Sequence, residues 1–450
     1  MPRRWWILLL ALSHAPAWAQ PPPRERLPDV VLSNGLRVMG CEDRSTSLTG
    51  VHLAVKLGAE AEAEALPGAR YLLQELFRYR LEEELRGQRQ FLDLSNALLV
   101  GRGLDLSTDW DHVSLVTLCP RSELRALLEV IAQVCFVEPL SETALGAAHL
   151  RAQEQWRRSQ ANPAEATYYL FRRALLGDTP AARPVFPSPQ TLPRLTLPAL
   201  QALRDRYYVP GNSLLTLAGP DEPNQLVAEA VEAMTAIPRR PAPGGWLPDY
   251  PPQPSNVQVG QNPHLRSGRL GIASLIIGFR FPALTDPDFP AALVLYQRLA
   301  GDGGVLATDA RFRQTLNSAL AGYTVRGPLL VDAMPPAAEA VPYTAIHVQS
   351  APDAIVQVQE ALLRVLYEVR DTPSGEQALS RARRRAINAL ALAGLDQPGR
   401  ARTLGEWALF ARGWAPLQRL PESISRATQA DLTRVATRCF SQQYIGLQMP

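Results

Sequence analysis

Alternation of apolar and polar positions along the chain marks strands, and a 3.6-residue period marks helices. The segment from Val51 to Leu57 alternates, and a helical pattern follows from Gly68 to about Arg86. A second alternating stretch runs from His112 to Leu118, with helices predicted from Arg121 to about Phe136 and from Glu142 to Gln160. The plan then repeats. Strands are predicted over Ile272 to Phe279 and Tyr343 to Gln349, and helices over Phe289 to Leu299, Asp353 to Val369 and Gly375 to Ala393. Strands and helices mix without strict βαβ alternation. That predicts an α+β fold, an antiparallel sheet with helices packed on one face.

The repeat also holds residue by residue. At an offset of 232, Thr196, Leu200, Tyr208 and Leu215 meet Thr428, Leu432, Phe440 and Leu447. At 223, Pro67, Ala69, Leu72, Gln74 and Leu76 meet Pro290, Ala292, Leu295, Gln297 and Leu299. At 235, Pro163 meets Pro398, each after a long Arg- and Ala-rich helix. Three matches in one order imply a duplicated domain. Between Pro238 and Pro254 lie seven prolines in seventeen residues, which is linker composition. The expected organisation is a leader over 1–19, a first domain over 20–237, a linker over 238–255 and a homologous second domain over 256–450.

Composition narrows the function. The 450 residues carry a net charge of +3, and +1 without Arg3 and Arg4. Nucleic-acid binding driven by bulk charge is therefore excluded. Lys56 is the single lysine. The N-terminus has a basic Arg3-Arg4, an apolar run from Trp5 to Leu12, and Ala17-Trp18-Ala19 ahead of Gln20. These are the parts of a secretory signal peptide. The expectation is cleavage after Ala19 by Sec or twin-arginine export, and a secreted protein, periplasmic where an outer membrane exists. No later segment has the ~18–20 unbroken apolar residues of a membrane span. Cys41, Cys119, Cys135 and Cys439 allow three full disulfide pairings or four buried thiols.

A further series of motifs runs in order along the first half. It comprises the turn Asn34-Gly35, the strand end Gly58-Ala59-Glu60, Pro67-Gly68-Ala69 opening a helix, the segment Asp105 to His112, Glu154 nine residues before Pro163, and Tyr208-Val209-Pro210-Gly211-Asn212. In this order and spacing the series resembles the insulinase/pitrilysin-type zinc peptidases, in particular the bacterial branch similar to the mitochondrial processing peptidase. The resemblance spans nearly the whole chain after the leader and implies two such α+β domains.

That family's signature is an H-x-x-E-H helix with a distal Glu, in which two His and the Glu bind zinc and the motif's Glu accepts a proton from metal-bound water. The matching positions are Tyr71, Gln74 and Glu75, with Ala147 at the distal Glu. A neutral phenol is a poor zinc ligand, an amide accepts no proton near neutrality, and Ala has no donor. The expectation is no metal, no cofactor and no catalytic residue. Glu75, Glu142, His149 and Glu154 are the side chains from which a metal site would have to be rebuilt, and His112 reads as structural on an edge-like strand. No G-x-S-x-G elbow or plausible Cys–His dyad supports another hydrolase.

The resemblance further implies an Arg and a Tyr seven apart that hold substrate. Tyr323 falls on the Tyr and Leu316 on the Arg, with Arg313 three residues earlier as a possible replacement. The segment Asp105, Leu106, Ser107 and Thr108 falls on the edge strand that pairs with substrate backbone in the family. Family members form chambers from four domains, in one chain or in two half-length subunits, one of which can lack zinc. The first expectation is therefore a secreted, non-catalytic subunit that pairs with a zinc-bearing two-domain homologue and contacts its peptide substrate. The alternatives are a stand-alone peptide-binding or scaffold protein of the envelope, and an active metallopeptidase with an unorthodox metal site.

Overall fold

The computed structural model describes residues 27–62, 66–87, 103–161, 163–177, 179–244, 273–301, 303–319, 331–334, 342–411, 413–440 and 445–449. The expected leader, 1–19, and residues 245–255 of the expected linker lie outside the described residues.

The first half contains β1 (Asp29–Val31), β2 (Arg37–Glu42), β3 (Leu48–Val55), α1 (Ala69–Gly87), β4 (Leu104–Thr108) and β5 (Val113–Pro120). It continues through α2 (Leu124–Ala132), α3 (Glu142–Ala161), α4 (Pro163–Leu176), α5 (Leu197–Tyr207), β6 (Ser213–Gly219) and α6 (Pro223–Met234). The six strands lie in the order β1-β2-β6-β3-β5-β4. Every neighbouring pair is antiparallel except β2 and β6, which run parallel. The β1–β2 turn is set by Gly35, whose φ of 96° suits a residue without a Cβ. Asn34 fixes that turn to the end of α6 by donating to the carbonyls of Met234 (2.8 Å) and Ile237 (3.1 Å).

The second half contains β7 (Ala273–Arg280), α7 (Phe289–Leu299), α8 (Val305–Thr308), α9 (Ala310–Ser318), β8 (Val331–Met334) and β9 (Tyr343–Ser350). Then come α10 (Ile355–Asp371), α11 (Glu376–Ala393), α12 (Gln397–Phe410), α13 (Ala415–Arg426), α14 (Gln429–Cys439) and β10 (Ile445–Met449). Its sheet has the order β10-β7-β9-β8 and is antiparallel throughout.

Period-two alternation splits each sheet into two faces. On β3, Val51, Leu53 and Val55 face a core shared with Leu72, Leu76 and Phe77 of α1, Leu127 and Ile131 of α2, and Leu226 of α6. In the second half, Leu275, Ile277 and Phe279 pack with Leu295 of α7, Leu362 and Val365 of α10, and Leu432 of α14.

The opposite faces are covered by exchange. Helix α12 of the second half lies on β3 and β6, and α4 of the first half lies on β7 and β10. These are the helices that contain Pro398 and Pro163, the pair matched by the sequence repeat. Under α12, Cys41 and Ala218 pack with Ala401, and Met39 and Leu214 with Ala408. Gly405 lies against the imidazole of His52, where a Cβ would stand 2.8 Å from Cε1 and 3.0 Å from Thr216 Oγ1. Under α4, Phe171 and Leu175 meet Ile276, Tyr343 and Ala345. Arg172 stacks 3.4 Å over the Trp110 ring and donates to Tyr343 Oη (3.2 Å) and the Ala181 carbonyl (3.3 Å).

All four cysteines are buried and in the thiol form. Burial pushes Cys119, Cys135 and Cys439 up to about 12. Of the arrangements left open by the sequence, the structure adopts the one without disulfides.

Candidate functional site

Helix α1 starts from a fixed point. Gly68 (φ 89°) and Arg70 donate their backbone N–H groups to the two carboxylate oxygens of buried Glu62, at 3.1 and 2.9 Å. This carboxylate caps the first turn and favours the positive end of the helix dipole. The Arg70 side chain, itself buried, pairs with Glu62 (3.3 Å) and donates to the carbonyls of Leu57 (3.3 Å) and Asp109. The helix is thereby set against the end of β3 and the β4–β5 turn.

Tyr71, Gln74, Glu75 and Arg78 then share one face of α1, at i, i+3, i+4 and i+7. Tyr71 sets its ring edge-on to Phe186, with centroids 6.3 Å apart. Burial, reinforced by the Glu75 charge, pushes its phenol up to about 12. Gln74 donates to the Ser107 carbonyl at 3.2 Å. Glu75 is bracketed by two guanidiniums, with Arg78 Nε at 3.4 Å and Arg151 at 3.4 Å. Arg151 stands on α3 one turn beyond Ala147 and also pairs with Glu82 at 3.1 Å.

This donor set does not fit a zinc ion. Tyr71 is protonated, Gln74 is an amide, Ala147 has no donor, and the one carboxylate already faces two positive charges. Arginine supplies the positive charge that a metal would bring, in a fixed planar geometry. Glu142 is exposed at the start of α3, and Glu154 pairs with Arg157 (3.4 Å) and Arg158 (2.9 Å). Among the described residues, no three His, Cys, Asp or Glu side chains are placed to share a metal ion. Arg78 and Arg151 are the residues that the sequence left unnoticed. Their one signal was position: Arg78 is three residues after Glu75, and Arg151 four after Ala147.

Among the described residues, strand β4 ends the first sheet. Asp105 pairs with Arg402 of α12. Ser107 Oγ donates to Asp109 (3.1 Å) and lies 2.8 Å from Ser114 Oγ. The carbonyls of Leu104 and Leu106 accept from Arg78 at 3.2 and 2.9 Å. Just past the turn, His112 is buried, and the strand it precedes, β5, lies inside the sheet and not at its edge. Its Nδ1 is 2.8 Å from Asp111, its Nε2 3.6 Å from Asp109, and its ring stands edge-on to Phe410 of α12. Burial disfavours the imidazolium. The bond to Asp111 and the charges of Asp109, Asp111 and Glu406 outweigh burial and raise it to about 9. His52 has burial and the repulsion of His112 and Arg402 against its charge and is driven down to about 3.

In the second half, Arg313 lines an open groove of about 530 Å³ on α9 with Thr308, Gln314, Asn317 and Ser318. Leu316 packs against the second core. Tyr323 lies outside the described residues.

The profile of the family described as peptidase M16 inactive domain matches residues 194–386. An uncharacterized zinc protease of Streptomyces coelicolor is 23% identical over 302 residues, which cover 65% of this chain and 63% of the relative. The chain thus spans less than two thirds of that relative's length. Two solved structures share the fold over 94% of the chain. One is a protease from Helicobacter pylori (TM-score 0.77, 15% identity, 99% of that chain covered). The other is a peptidase M16 inactive domain from Pseudomonas fluorescens (TM-score 0.73, 16% identity, 98% covered).

Proposed function

We propose that this chain is an inactive member of the insulinase-type (M16) peptidase family and the zinc-free subunit of a two-subunit peptidase. The observation that carries this reading is the Arg78–Glu75–Arg151 arrangement, which fills the place of the zinc ligands while the two-domain fold around it stays whole. A partner with an intact H-x-x-E-H helix supplies the metal and the base. This chain supplies a chamber wall, and Arg313 and Tyr323 are its groups for holding the peptide. The leader over 1–19 directs export, which places both subunits outside the cytoplasm, in the periplasm of a cell with an outer membrane.

The test is co-expression with a two-domain homologue from the same genome that carries the intact motif. Size-exclusion chromatography and a peptide-cleavage assay should show a 1:1 complex that cleaves faster than the homologue alone. Tyr323→Phe in that complex should lower kcat with little change in KM, because the lost hydroxyl acts on charge that develops in the transition state. A chain that stays monomeric and leaves the homologue's rate unchanged would overturn the proposal and return the molecule to the scaffold reading.

A further inference from the structure

We infer that Arg78 closes the edge of β4, so that this strand is held shut against the addition of another polypeptide strand. The inference concerns the chain by itself and does not rest on a partner subunit.

The direction of the β4 backbone groups follows from the hairpin that joins β4 to β5. Asp109 N–H donates to the His112 carbonyl at 2.9 Å, which makes 109 and 112 a bonded pair. The register then pairs Thr108 with Val113, Ser107 with Ser114, Leu106 with Leu115, Asp105 with Val116 and Leu104 with Thr117. In an antiparallel ladder bonded and non-bonded pairs alternate. Counting back from 109, Ser107 and Asp105 exchange bonds with β5, whereas Leu106 and Leu104 do not. The carbonyls of Leu104 and Leu106 therefore point away from β5, on the last strand of the sheet among the described residues.

Those are the two carbonyls that accept from Arg78. One terminal nitrogen donates to Leu104 and the other to Leu106. Outward carbonyls two residues apart are the acceptors to which an incoming strand donates its N–H groups. The guanidinium fork takes both at once. Arg78 is held there by Glu75, which is held in turn by Arg151 across the gap between α1 and α3. Glu75 is thus a positioning residue for Arg78, and a strand can pair with β4 only by displacing a guanidinium that is anchored from behind.

The probe is a fluorescein-labelled ten-residue peptide of alternating Val and Thr, followed by fluorescence anisotropy on the full chain. Wild type should show no saturable binding. Arg78→Met keeps most of the aliphatic stem and removes every donor. It should bind the peptide saturably, with a Kd at least about tenfold below the limit that the wild-type titration sets, the equivalent of one net hydrogen bond from a charged donor. It should also dimerise with rising concentration, in a manner the peptide blocks. Glu75→Gln should give a smaller gain in peptide binding, and Arg78→Lys, with a single ammonium, a gain between the two. Saturable binding by wild type, or a folded Arg78→Met that binds no better than wild type, would overturn the inference. Should Arg78→Met fail to give a cooperative melt, Glu75→Gln and Arg78→Lys decide it, and no gain in either overturns it equally.

Discussion

Raising the pH from 7 to 9 should cost this protein about 2 kcal/mol of stability through His112 alone. The side chain is buried at the seam between the β4–β5 turn and α12, with Asp111 bonded to it, Asp109 beside it and Glu406 approaching from the other half. Its folded value is about 9, against ~6.5 in an unfolded chain. A histidine raised in the folded state contributes stability that is fully present below the unfolded value and is lost as the pH climbs through the folded one. Integrating the linkage relation between pH 7 and 9 gives about 2 kcal/mol of the ~3 kcal/mol available. The assay is urea unfolding followed by far-UV circular dichroism at pH 7, 8 and 9, for wild type and His112→Asn. Cys119, Cys135 and Cys439 also weaken the fold at the alkaline end, since their thiols ionise sooner when unfolded. Both proteins share that loss, so the difference between the curves isolates the imidazole. Parallel stability curves would refute the assigned charge. On the acid side His52 acts in the opposite sense. Its folded value of about 3 means that stability is lost as the pH falls below ~6.5. The contributions of the two buried histidines together peak near pH 6.5.

Gly405→Val should cost about 1–3 kcal/mol, because the added side chain meets the buried His52 ring and Thr216. A lowered melting temperature, with faster proteolysis of the chain between its halves, checks this. Restoring Tyr71→His, Gln74→Glu and Glu75→His together should leave the chain without tightly bound zinc, because Ala147 offers no donor and Arg151 keeps a positive charge beside the site. One equivalent of zinc retained through dialysis, measured by elemental analysis, would show that the distal ligand comes from elsewhere.

Much of the fold was legible because period and punctuation are local. The helices predicted over 68–86, 142–160 and 289–299 are observed at Ala69–Gly87, Glu142–Ala161 and Phe289–Leu299. The duplication was legible too, since aligned residues need no knowledge of contacts. What could not be read was long-range. The parallel pairing of β2 with β6 joins Val38 to Leu215, and nothing in either strand's alternation names its neighbour. The repeat marked Pro163 and Pro398, yet an amphipathic helix does not say which sheet its apolar face will meet. The site followed the same division. Loss of the ligand types at Tyr71, Gln74 and Ala147 is a statement about single residues. The capture of Glu75 by Arg151, 76 positions away, is not. An arginine on a charged helix reads as solvated until the helix across the gap is placed.

The exchanged helices make the halves dependent on each other, although the sequence shows two copies of one domain. Residues 20–244 alone would lack α12 and expose Met39, Cys41, Leu214 and Ala218, together with the buried face of His52. Residues 245–450 alone would lack α4 and expose Ile276, Tyr343 and Ala345. Burial of a large apolar side chain is worth about 1.5–3 kcal/mol, so each uncovered sheet, with two such side chains, loses on the order of 3–6 kcal/mol. That is a large share of the ~5–15 kcal/mol that holds a typical domain together. Neither half should therefore fold cooperatively when expressed alone. Each should show far-UV helix and strand signal without a sharp thermal transition or a fixed near-UV spectrum, and mixing the two should restore both. The helix-for-helix trade also explains why Arg172 is buried against Trp110 from its own half and Tyr343 from the other. If either half alone unfolds in a single sharp transition with native near-UV dichroism, the opposite face of its sheet does not need the exchanged helix, and the interdependence fails.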